Sequence, residues 1–164
     1  KGELLKAGGR VVKNVSGYDI PRGLSGSWGT LAIFTELTIK VLPKARAVDQ
    51  QADGLQDVWA QNFVWRVSIP RDQGDTLTPA WKGPVARQWD GALLWLGADA
   101  CQDVHARAAR AGGHALLDQS PDNHRVADSC FQHLDAGNST LHALLKKAFA
   151  PHRRLNPGRL YEGL

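Results

Sequence analysis

Several things are scarce in this sequence, and each shortage removes a class of function. It contains no methionine. A complete reading frame opens with one, so the expectation is a fragment or a processed piece of a longer protein. Cysteine occurs only as Cys101 and Cys130, and neither has a partner at the CxxC spacing of a zinc site or sits in the regular pattern of a disulfide framework. Two free, partly buried thiols are expected. No apolar run approaches the roughly twenty residues that cross a bilayer, and no basic-then-apolar signal opens the chain, which predicts a cytoplasmic protein without a transmembrane segment. Basic residues outnumber acidic ones, 20 to 16, yet they are scattered; only Lys146–Lys147 and Arg153–Arg154 stand side by side. Nucleic-acid affinity comes from clustered phosphate contacts, so that partner is not expected.

Familiar chemical motifs are missing as well. The six histidines, at 105, 114, 124, 133, 142 and 152, never fall at the i, i+4 spacing of a helical metal site, and there is no HxH or HExxH. Surface or packed histidines are expected; His114, opening a strand directly after a Gly–Gly turn, is the one placed where sites are often found. No GxSxG elbow and no defensible carboxylate pair occurs, and both GxGxxG and GxxxxGK[ST] are absent, so glycine here does not announce a phosphate loop. The sequons at Asn14 and Asn138 matter only in a secreted eukaryotic chain and are discounted.

What is present is enough apolar surface to fold. The chain has 164 residues, 43% of them hydrophobic, with six tryptophans, so ordering entropy can be offset by burial. Leu31, Ile33, Thr35, Leu37, Ile39 and Val41 alternate with Ala32, Phe34, Glu36 and Lys40, which predicts a long strand over Leu31–Leu42, its first half buried on both faces and ended by Pro43. A shorter strand is expected at Arg10–Val12. Residues 44–57 are polar and read as a linker. Beyond them, strands are predicted at Phe63–Ile69, Ala92–Gly97 and His114–Asp118, with a helix over Gln102–Ala111 stopped by Gly112–Gly113. A last helix is expected behind an N-cap at Ser139, carrying Leu141, Leu144, Leu145, Ala148 and Phe149 at helical spacing and ended by Pro151. The tail beyond it keeps Leu155, Leu160 and Tyr161 and is expected to be docked. The fold class is α+β: one sheet with a helix packed on one face.

Gly8, Gly9, Gly17, Gly23, Gly26 and Gly29 crowd the first part of the chain, for tight turns or for close approach to the backbone. Gly8–Asp19 (GGRVVKNVSGYD), Gly26–Glu36 (GSWGTLAIFTE) and Asn156–Tyr161 (NPGRLY) together resemble the FAD-linked oxidases of the vanillyl-alcohol-oxidase type. Within that family the wording is most similar to the E-subunit branch of the bacterial glycolate oxidases, as are WRVSIP and the helix ending in RAGGHA. The resemblance implies that residues 1–43 are the C-terminal piece of a FAD-binding domain and that 44–164 form a reduced ferredoxin-like cap domain with a flavin-directed tail. It implies FAD as cofactor, lined by Asn14, Ser16, Gly17, Tyr18, Gly26, Ser27, Gly29, Thr30 and Ile33, with Asn156 offering an amide and Arg159 a cation to the flavin ring. No catalytic residue is assigned.

The implied activity is oxidation of glycolate to glyoxylate, by a complex with a D-type flavoprotein subunit and an iron–sulfur F-type subunit through which the chain could associate with a membrane. The alternatives are a non-catalytic interaction module and another FAD-linked dehydrogenase of a small 2-hydroxy acid, such as D-lactate. Three departures from the family pattern bear on this. Its glycine-rich pyrophosphate loop would lie upstream of Lys1, so the residues given are not expected to be competent alone. Ala32 stands where the pattern has a second glycine, and the stretch from Ala47 to Trp59 is short.

Overall fold

The computed structural model describes residues 2–9, 18–41, 43, 52–121 and 130–163. The chain divides into two compact units. One joins Lys1–Lys40 to Asp135–Leu164 and is called the terminal unit below; the other, Val41–Leu134, is the sheet unit.

The sheet unit is built on β1 (Phe63–Ser68). Phe63, Val64, Trp65 and Val67 are all buried while Arg66 is exposed, so this strand has apolar side chains on both faces and belongs in the middle of a sheet. It pairs antiparallel with β3 (Leu93–Ala98) on one side and β4 (His114–Gln119) on the other, and β2 (Val85–Gln88) adds to the far edge of β3. The spatial order is β2-β3-β1-β4. Trp65 stands opposite Leu96 and Val67 opposite Leu94, and a register shift between Val64 and Trp65 bends the β4 side.

On one face, Phe63, Trp65, Val67, Leu94, Leu96, Ala115 and Leu117 form the main core with Leu77 of the short helix α3 (Gly74–Leu77) and with Val104 and Ala108 of α4 (Val104–Arg110). The Trp81 indole joins this core and donates to the Gly97 carbonyl at 3.1 Å, which removes the cost of burying its N–H. The expectation of a helix on one face only is corrected. Val58 of α2 (Leu55–Trp59), fully buried, covers part of the opposite face with Val64 and Ala86. Ala52 and Leu55, inside the stretch 44–57 read as linker, pack half-buried against this cluster, and burying Val58 just beyond it is worth about 1.5–3 kcal/mol.

The α4 helix begins where Asp103 accepts a hydrogen bond from the Ala106 N–H, 3.1 Å away. It ends in a Schellman arrangement, Gly113 N–H to Ala108 carbonyl and Gly112 N–H to Ala109 carbonyl, with Gly112 at φ 73°. Gly113 is needed for a second reason: a Cβ there would run into the Ser68 carbonyl and Ile69. The Gly–Gly pair is therefore both a helix stop and the tight seam that admits β4 beside β1.

The terminal unit contains α1 (Ile20–Leu24), capped by Asp19, and α5 (Ala136–Phe149). The N-cap of α5 is Asp135, which accepts from the Asn138 N–H at 2.8 Å, not Ser139 as expected. Gly137 and Asn138 are poor helix formers that hid the first turn. The expected strand over Leu31–Leu42 is also corrected: residues 31–41 form no strand, and Ile33, Leu37 and Ile39 are 76%, 66% and 78% exposed. Alternation supplies two faces, but a strand exists only against a neighbour that takes its hydrogen bonds, and the described part of this unit offers none. Leu42 and the strand expected at Arg10–Val12 lie outside the described residues. Cys101 is exposed and Cys130 half-buried, both as free thiols. Among the described residues no helix is long and apolar enough to cross a membrane.

Candidate functional site

The candidate site is in the terminal unit, where the chain leaving α1 turns on itself and meets the tail leaving α5. Gly26, Trp28 and Gly29 have φ of 79°, 52° and 71°. Two of these left-handed positions suit glycine, and Trp28 holds the third against a cost of about 1–2 kcal/mol. The turn is closed by Ser27 N–H to Leu24 carbonyl, Thr30 N–H to Ser27 carbonyl, and the Thr30 hydroxyl to the same carbonyl at 2.6 Å.

Three contacts fasten this turn to the tail. Asn156 donates its amide Nδ2 to the Trp28 carbonyl at 3.1 Å. The Arg159 guanidinium lies over the Trp28 ring, 5.7 Å from its centroid, within cation–π range. Lys146, from α5, donates its ammonium to the carbonyls of Thr30 (2.8 Å) and Leu155 (2.7 Å). Its side chain is buried, 4% exposed. Burial, and then the positive charge of Arg153, push the Lys146 pKa below the usual lysine value. The Tyr161 ring meets His142 edge-on at 5.6 Å, so the tail is docked along α5.

Of the residues expected to line a cofactor, Ser27, Gly29, Thr30, Asn156 and Arg159 are brought together here, with Gly26 at the edge of the same turn. Tyr18 and Ile33 are not: they are 95% and 76% exposed. Asn14, Ser16 and Gly17 lie outside the described residues. Lys146, His142 and Trp28 were missed. Nothing local separates Lys146 from Lys147, because which of the pair turns inward depends on the tail that covers it.

Gly26 and Gly29 differ in what they permit. A Cβ on Gly26 would meet nothing within 4 Å, so its surface is open, whereas at Gly29 the space is filled by Asn156 Nδ2 at 2.9 Å. Buried Ser27 Oγ has no partner among the described residues, the condition of an atom that water or a ligand satisfies. The residues therefore fit contact with a flavin at Gly26 and Arg159. They do not fit a close approach at Gly29, whose missing side chain makes room for the tail.

This pairing of a glycine-rich turn with an NPGR tail is where comparison with other proteins becomes informative. The glycolate oxidase subunit GlcE of Escherichia coli (strain K12) is 28% identical over 229 residues, a match covering 99% of this chain and 63% of that protein. The chain is similar to the E subunit of glycolate oxidase. The likeness takes in both units, and the aligned span exceeds the 164 residues present, so the relative carries stretches without a counterpart here. The glycolate oxidase subunit GlcD of Bacillus subtilis (strain 168) is 46% identical over 73 residues, covering 38% of this chain and 16% of that protein. An FAD-linked oxidoreductase of Mycobacterium tuberculosis (strain CDC 1551 / Oshkosh) is 44% identical over 43 residues, covering 26% of this chain and 9% of its own length. The relatives are oxidoreductases. No protein-family model matches the chain, and no solved structure matches it significantly.

Proposed function

We propose that the chain is part of an FAD-binding subunit of a glycolate oxidase, a complex that converts glycolate to glyoxylate and passes the electrons through flavin to iron–sulfur and D-type partner subunits. The observation that carries this reading is the likeness to the E. coli subunit over 99% of the chain. The turn-to-tail contact supports it, because it unites residues far apart in sequence that the resemblance assigns to one cofactor.

In this reading FAD supplies the two-electron chemistry. Arg159 presents a fixed positive charge that would stabilise an anionic reduced cofactor, Asn156 holds the turn through the Trp28 carbonyl, and Gly26 leaves the backbone open. The remaining expected contacts, Asn14, Ser16, Gly17, Tyr18, Ser27, Thr30 and Ile33, belong to the same proposal; Gly29, whose open side is filled by Asn156, does not. Residues 44–164 are proposed as a reduced ferredoxin-like cap with a flavin-directed tail: the β-α-β-β-α-β succession of the sheet unit, with spatial order 2-3-1-4 and every neighbour antiparallel, supports that topology. Residues 1–43 are proposed as the end of the FAD-binding domain.

A titration of the 164-residue chain with FAD, followed by flavin fluorescence, and the same measurement on the longer natural protein test the reading. Flavin bound by the longer protein and weakened by Arg159→Ala is expected; a longer protein that purifies colourless and takes up no FAD rejects it. A second reading is favoured by the exposed Ile33, Leu37 and Ile39: a module that only contacts partner subunits through this apolar segment. Micromolar FAD affinity in the isolated chain rejects that alternative.

A further inference from the structure

We propose that the cavity walled by Lys146, His142 and the Ser25–Thr30 turn is a binding site for a small oxyanion, a carboxylate or a phosphate. The cavity measures about 220 Å³ and is lined also by Gly23, Leu31, Leu145 and Leu160. One water needs about 10–15 Å³, so there is room for an anion of a few heavy atoms with some of its hydration.

The charge argument is the strongest. An ammonium has three N–H donors, and Lys146 places two on the carbonyls of Thr30 and Leu155. Among the described residues no carboxylate lies within ion-pairing distance of it, and no Asp or Glu lines the cavity. Carbonyl dipoles satisfy hydrogen bonds but leave the net charge uncompensated, and a buried cation without a counter-ion is costly. Arg153 adds positive charge nearby, enough to depress the Lys146 pKa. His142 and Ser25 also line the cavity, and Ser27, whose Oγ is buried without a partner among the described residues, lies beside them. An oxyanion answers all of these at once: it accepts the third Lys146 N–H and compensates the charge. A cation or an apolar ligand would answer none.

The cavity shares Gly26, Ser27 and Thr30 with the flavin reading, but neither Lys146 nor His142 takes part in that reading and the test involves no flavin, so the two can fail separately. The whole chain is titrated with sodium phosphate and, in a second series, with sodium glycolate, each against sodium chloride at matched ionic strength. Amide and side-chain NMR signals of Ser27, Thr30 and His142 are followed, and the indole signals of Trp65, Trp81 and Trp95 in the sheet unit serve as the folding control. Saturable shifts confined to the cavity residues are expected below about 10 mM ligand. Lys146→Gln is expected to weaken binding at least about tenfold, as loss of a charged hydrogen-bond donor does, Lys146→Arg to retain it, and His142→Ala to weaken it several-fold. Tighter phosphate assigns a phosphoryl group and tighter glycolate a carboxylate. Shifts that chloride reproduces, the absence of saturation in the unaltered chain, or affinity unchanged in both Lys146→Gln and His142→Ala overturns the proposal. If Lys146→Gln loses the Trp28 indole signal through local unfolding, the unaltered chain and His142→Ala decide.

Discussion

The two units are stabilised in opposite ways. In the sheet unit the buried apolar residues form two clusters, one on each face of the sheet, and among the described residues every buried hydrophobic one except Ala150 belongs to this unit. In the terminal unit the groups that are buried include Ser27, Thr30 and Lys146, while Leu4, Leu5, Ile33, Leu37, Leu141 and Leu144 face outward. One unit is held by transfer of hydrocarbon from water, the other by polar ties to backbone carbonyls. Each such tie contributes only about 1 kcal/mol net, with bonds from a charged donor somewhat more, so the terminal unit depends on few contacts and its apolar surface is left for something else to cover.

The sharpest way to break the comparison is to excavate the sheet core. Leu94 is fully buried, and Leu94→Ala is expected to cost about 2–5 kcal/mol. Denaturant unfolding monitored by the Trp65 and Trp81 signals should show it, with Ile33→Ala in the terminal unit costing less than about 0.5 kcal/mol in the same experiment. Equal effects would erase the distinction. Gly29→Ala comes next: it needs a left-handed backbone and displaces Asn156, so about 1–2 kcal/mol is expected, seen as a moved Trp28 indole signal with the sheet signals unmoved.

Protonation offers a gentler probe. His105, on α4, packs edge-on against Trp65 at 5.1 Å. Burial first, and then the neighbouring His133, hold its pKa below 6.5 against smaller opposing effects of a hydrogen bond with the Cys130 backbone and of Asp103. The unfolded chain therefore binds this proton more readily than the folded one. Stability of the sheet unit should be complete above about pH 6.5 and fall as the pH drops from there toward the folded value, and His105→Gln should flatten that slope. The smallest effect is at the Asp135 cap. Its pKa is lowered by hydrogen bonds from Asn138, so the cap is intact above the ordinary carboxylate value and is lost as pH falls through the folded one; far-ultraviolet circular dichroism should register fraying of α5 that Asp135→Ala reproduces at neutral pH.

Legibility in the sequence followed the same division. Strands β1, β3 and β4 and helix α4 were readable to within one or two residues, because alternation and a Gly–Gly stop are local signals that the core then ratifies. Strand β2 was missed: its four residues include Arg87 and Gln88, and only pairing with β3 makes them a strand. Helix α2 was hidden in a polar stretch where one buried valine carries the packing. In the terminal unit the pattern over residues 31–41 was as regular as any in the chain, yet no described neighbour takes its hydrogen bonds. The site residues Asn156 and Arg159 came from resemblance rather than from pattern, and Lys146 was out of reach because its burial is decided by the tail.

The ties that close the terminal unit are also its longest loops. Lys146 reaches Thr30 across 116 positions of sequence and Asn156 reaches Trp28 across 128, with the whole sheet unit between the partners. Closing a flexible loop costs about 0.6 kcal/mol for each doubling of its length, so prior folding of residues 41–134 shortens the effective span and makes closure easier. The sheet unit is also synthesised in full before α5 leaves the ribosome. The tail carrying Asn156 and Arg159 is translated after the whole sheet unit, so the order of assembly runs from a scaffold that can form early to a site that waits for the segment behind α5.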